Sequence, residues 1–128
     1  MEREKGGERM RLIALVCALF LTGCALPPEQ RAYEAAYQAI HVADTLQTLD
    51  IKRHDWAHET NPILGKHPKD AEIIAYMAAE ATLHYLITDQ LAKHDAPMWL
   101  QRFWHGASIT LSASTVTDNH SLGLRVRF

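Results

Sequence analysis

Three long stretches of helical period fill most of this chain, and strong chain-breakers separate them, so a bundle of helices is nearly the only fold open to it. From Glu29 to about Arg53, residues placed at about 100° intervals sort into two arcs. One carries Ala32, Ala35, Ala36, Ala39, Ile40, Val42, Ala43, Leu46 and Leu49; the other carries Glu34, Gln38, His41, Thr45, Thr48 and Lys52. This is an amphipathic helix, and its alanine-rich arc lets a partner helix approach closely. His54 to Lys66 breaks the period, with Asn61-Pro62 and Gly65 as turn signals. Pro68 to about Lys93 predicts a second helix. Pro68 suits its first position, and Asp70 and Glu72 lie near the positive end of its dipole. Its Ile, Leu and Met residues spread around most of the circumference, as in a buried helix.

A third helix follows, with Asp95 as its cap and Pro97 just inside its start. Trp99, Leu100, Phe103, Trp104, Ala107 and Leu111 define its apolar face, and Gln101, His105, Ser108 and Ser112 the other. From Ala107 to Ser114 the sequence also alternates as a half-buried strand would, and so does Leu122 to Phe128. Alanine and serine are poor strand formers, and an isolated hairpin is marginal. The expectation is therefore an all-α, small three-helix bundle, helical to about Thr115, with an extended C-terminal tail. The alternative is an α+β fold with a hairpin at about 107–128.

Upstream of the helices lies an address. Arg9 and Arg11 precede an apolar run from Leu12 to Leu21, and small residues follow it. That order marks a secretory signal peptide. The run is about half the ~20 residues that a spanning helix needs. Leu21-Thr22-Gly23-Cys24 resembles the lipobox of bacterial lipoproteins. The resemblance implies that residues 1–23 are cleaved as a signal peptide and that Cys24 carries diacylglycerol and palmitate-type acyl chains. Residues 24–30, with Pro27-Pro28, are then a lipidated tether, and 31–128 form a single helical domain. Ala25, where inner-membrane lipoproteins carry aspartate, implies the outer membrane, periplasmic face. Residues 1–9 are acidic as well as basic, so Met10 is the cleaner start for such a leader.

From Cys24 onward there are 9 Lys+Arg against 12 Asp+Glu and no basic patch, which argues against nucleic acid as a partner. With Cys17 removed and Cys24 acylated, the domain has no disulfide and holds its fold by packing. Glu59-Thr60-Asn61-Pro62 resembles the E-x-N-P turn of small helical bacterial and phage proteins, some of them membrane-embedded. That resemblance implies a shared fold and says nothing of activity. Glu72, Glu80, His84 and Asp89 make spanning expensive for the second helix, so a bundle outside the bilayer is expected.

All eight histidines lie after Cys24. Glu80, His84 and Thr88 form a polar stripe on a face that should be packed, and a carboxylate and an imidazole one turn apart can share a proton or ligate a metal. His41 and Asp44 on the first helix are the natural third and fourth ligands. The metal set read from the sequence is therefore His41, Asp44, Glu80 and His84, the plainer reading being a buried polar pair that fixes helix register. His54 and His58 are four apart, but Asp55 stands where a zinc-protease motif needs Glu, so a polar loop is expected there. Trp99, Phe103 and Trp104 can anchor a partner, the plainer reading being that they pack in the core. No nucleophile–base pair or phosphate loop is legible. The expected function is a structural or protein-interaction role for a membrane-anchored envelope lipoprotein. It is not an enzyme; it has no cofactor beyond the covalent lipid and no small-molecule substrate, and an envelope protein is its partner. The alternative is a divalent-metal-binding periplasmic protein.

Overall fold

The computed structural model describes residues 25–126; the leader, Cys24, Arg127 and Phe128 lie outside the described residues. Within them the chain is an all-α three-helix bundle, α1 (Pro28–Asp50), α2 (Asp70–Lys93) and α3 (Met98–Ser121), with one 3₁₀ turn at Ile51–Arg53. α1 lies between the other two, which meet each other only sparingly.

Local chemistry sets the boundaries. Pro28 starts α1, where a missing N–H costs nothing. Glu72 reaches back to accept the Lys69 N–H at 2.8 Å, tying the first turn of α2. Asp95, expected to cap α3, instead ends α2. It takes a left-handed conformation (φ 48°), and the Ala96 N–H turns back to Leu91 O at 3.0 Å. Pro97 occupies the cap position of α3.

No strand forms among the described residues, so the hairpin alternative is not realised. α3 runs six residues past Thr115, its small polar side chains turned back onto their own helix. The hydroxyls of Ser108, Thr115 and Thr117 each bond the carbonyl four residues back. Two further bonds hold the extension to α1: Gln47 Nε2 donates to Val116 O (3.2 Å), and Asn119 Nδ2 to Asp44 Oδ1 (3.2 Å). The helix then stops in a Schellman motif. The Gly123 N–H bonds His120 O, the Leu124 N–H bonds Asn119 O, and Leu124 is buried. Gly123 has φ 98°, and a Cβ there would lie 3.7 Å from the Trp56 ring. Space is adequate, so backbone strain alone decides the outcome. Gly123→Ala should lower stability by about 1–2 kcal/mol, read as a shifted denaturant midpoint at unchanged slope.

The arcs read from the sequence are the right arcs, but they face the opposite way. Glu34, Gln38, His41, Thr45 and Thr48 are buried, whereas Ala32, Ala36 and Ala39 are exposed. On α3, Gln101 and His105 are buried while Trp99 and Phe103 point outward, 69% and 67% exposed. α2 is not a fully buried helix either, because Leu83 and Leu86 are exposed. Among the described residues thirteen buried side chains are polar or charged and six are apolar. The interior is therefore held chiefly by hydrogen bonds. Such an interior is stable only where its polar atoms find partners.

Candidate metal centre

Glu34 is the hub of that interior. It lies on the inward arc of α1 and is 3% exposed. Its Oε1 accepts Gln38 Nε2–H at 2.7 Å, and Gln38 Nε2 also donates to Ala81 O on α2. Its Oε2 accepts His84 Nδ1–H at 2.9 Å. Thr88, one turn beyond His84, places its Oγ1 2.9 Å from the same oxygen and 3.0 Å from the His84 carbonyl, between which its single proton is shared. Trp104 on α3 donates its indole N–H to Thr88 Oγ1 at 3.1 Å. Two helices thus meet on one carboxylate, which accepts bonds on both oxygens as an ionised group does, and α3 joins them through Trp104 on Thr88.

The imidazoles are clamped by rings. His84 is sandwiched between Tyr37 (centroids 3.5 Å) and Trp104 (4.8 Å). His105, on α3, stacks on Tyr33 at 5.1 Å, and its centroid lies 5.8 Å from that of His84. Gln30 Oε1 lies 2.8 Å from His105 Nε2 and accepts its proton. These bonds fix the tautomers: His84 carries its proton on Nδ1 and His105 on Nε2. The remaining nitrogens, His84 Nε2 and His105 Nδ1, are buried and have no hydrogen-bond partner.

Glu34, His84 and His105 each bring one potential ligand atom within 4.8 Å of the other two. A carboxylate and two neutral imidazoles suit a divalent first-row ion such as zinc and leave a further coordination position open. One outer contact also fits. Gln30 accepts the distal N–H of His105, as residues behind metal-bound imidazoles do, whereas Glu34 would have to release the His84 Nδ1–H to become a ligand itself.

Of the four ligands read from the sequence, only His84 enters this group. His41 bonds Met77 O through Nε2 at 2.8 Å, and its ring stacks on Tyr37. Asp44 accepts from Asn119. Glu80 accepts the Tyr76 hydroxyl at 2.8 Å, which removes it from the Glu80–His84–Thr88 stripe. Asp44 and Glu80 instead line a cleft of about 730 Å³ beside the 59–62 turn. His54 bonds Asp50 at 3.1 Å, and His58 is exposed on a non-helical segment. Of the proposed anchors, Trp99 and Phe103 face outward, while Trp104 faces the cluster. The two ligands missed were Glu34 and His105. Both had been assigned to the polar arcs of their helices, and the stripe on α2 that needed partners was the available signal.

No family model, curated protein or solved structure matches this chain.

Proposed function

We propose that this chain is a membrane-held helical protein that binds one divalent transition-metal ion between Glu34, His84 and His105. One observation carries the reading: two imidazole nitrogens, His84 Nε2 and His105 Nδ1, are buried with nothing bonded to them, on residues that cluster with the Glu34 carboxylate. Leaving two acceptors bare in the interior costs about 1–3 kcal/mol each, and an ion coordinated there removes that cost. The membrane part rests on Leu21-Thr22-Gly23-Cys24 and its resemblance to the lipobox. Acyl chains on Cys24 would hold the bundle at the bilayer, and Ala25 favours the outer membrane.

The test is metal content by mass spectrometry on full-length protein purified without chelators. About one zinc or similar ion per chain is expected, falling to near zero in His84→Ala and in His105→Gln while His58→Ala is unaffected. Cobalt loading should give the strong visible absorption of a four-coordinate site. Helical protein that stays metal-free after incubation with zinc and with cobalt would refute the reading.

A further inference from the structure

Averaged over all its residues, no described helix is long and apolar enough to cross a membrane. That average mixes two faces, and here the polar face is turned inward, so the surroundings of the bundle meet only the other face. Charge is absent from that outer face over long intervals. On α1 no exposed charge lies between Arg31 and Lys52, since Glu34 and Asp50 are buried and Asp44 is half-buried. On α2 Asp89 is buried between Glu72 and Lys93, and Glu80 is half-buried, bonded to the Tyr76 hydroxyl and, like Asp44, set in the cleft beside the 59–62 turn rather than on the outer face. On α3 there is no Asp, Glu, Lys or Arg at all between Arg102 and Asp118. At about 1.5 Å per residue these intervals span about 30, 30 and 22 Å, and the hydrocarbon core of a bilayer is about 30 Å thick.

We infer that the outer face of the bundle is covered by lipid acyl chains, the three helices sitting as one unit in a bilayer. The charges collect at the two ends. Arg102 pairs with Glu29 where α1 and α3 begin, and Lys52 pairs with Asp70 where α1 ends and α2 begins. Trp99 is exposed near the first end and Trp56 beyond the second, where indoles sit in membrane proteins. Three exposed hydroxyls on the uncharged belt fold back on their own helix, Thr82 to Ala78 O, Thr115 to Leu111 O and Thr117 to Ala113 O, which satisfies them without water. Inside, small and polar residues bond across helices, which is how helices associate once burial of apolar surface no longer drives them together. A second copy of the chain would cover one side of the bundle. The uncharged belt instead runs along all three helices and stops at both ends, which suits lipid.

The inference rests on the outer face and not on the metal cluster, so the two stand or fall separately. The experiment uses the full chain with Cys17→Ser and Cys24→Ser, so that no lipid is attached and no native thiol remains. It is reconstituted into phosphatidylcholine vesicles with a nitroxide on one introduced cysteine. At Leu83→Cys and Leu111→Cys, dissolved oxygen should relax the spin far more than a water-soluble nickel complex does. At Thr60→Cys and Ser121→Cys the order should reverse. Nickel access at positions 83 and 111 equal to that at 60 would overturn the inference. So would poor access for both reagents together with spin–spin broadening, which would identify a second copy as the cover. Recovery of the chain from the aqueous phase as a helical monomer would overturn it as well.

Discussion

Glu34→Ala should be the most damaging single substitution in this protein, with a loss of about 3–5 kcal/mol that leaves the bundle at the edge of unfolding. The carboxylate receives donors from His84, Thr88 and Gln38, all of them buried. Removing it strands the His84 Nδ1–H and one Gln38 N–H, while Thr88 keeps the His84 carbonyl, and a stranded interior donor loses its water without gaining a partner. Glu34→Gln keeps one acceptor oxygen but brings an NH₂ against the donors, so it should lie between wild type and alanine. The decisive comparison is Glu34→Leu combined with His84→Leu. If the damage comes from orphaned partners, the double variant should be more stable than the sum of the two single losses, because neither polar group is then left alone. Denaturant midpoints for the four proteins measure this. Simple additivity would mean that the hydrogen bonds to Glu34 are not coupled as the geometry has them.

Asp50→Ala should have the second largest effect, and a more local one. Asp50 is 2% exposed and sits where α1 gives way to the 3₁₀ turn. Its Oδ2 accepts the Arg125 backbone N–H and His54 Nε2, each at 3.1 Å, and Arg53 Nε lies 3.5 Å from Oδ1. One carboxylate therefore fastens the end of α1, the start of the loop and the C-terminal tail. Its loss should lower stability by about 1–3 kcal/mol. It should also speed hydrogen exchange at Arg125 at least tenfold, while the α2 amides around His84 change only by the global loss. Unchanged exchange at Arg125 would show that the tail is held by Leu124 alone.

The three helices were legible because their signals are local. Pro28, Glu72, Pro97 and the Asn61-Pro62 break act within a few residues of themselves. The turn, too, caps itself: Glu59 accepts the Thr60 and Asn61 N–H groups at 2.8 Å, and Asn61 accepts that of Ile63 at 2.9 Å. The end of α3 at Ser121 was less legible because alanine–serine alternation is ambiguous until Val116 and Asn119 meet α1. Periodicity separates two faces and does not say which is inside; the usual rule buries the apolar one, whereas α1 and α3 bury mainly their polar arcs. The same rule hid the cluster. His84 was visible as a polar break on an apolar helix, whereas Glu34 and His105 looked like ordinary solvent-facing residues. Their pairing needs the packing of three helices, which no local pattern encodes.

α2 and α3 scarcely touch except through their common neighbour α1, yet the two imidazoles of the cluster sit one on each of them. Between them Trp104 is the main bridge, bonded to Thr88 and stacked on His84. An ion held by both imidazoles and by Glu34 of α1 would tie all three helices at one point, and its arrival or loss would bear on their spacing.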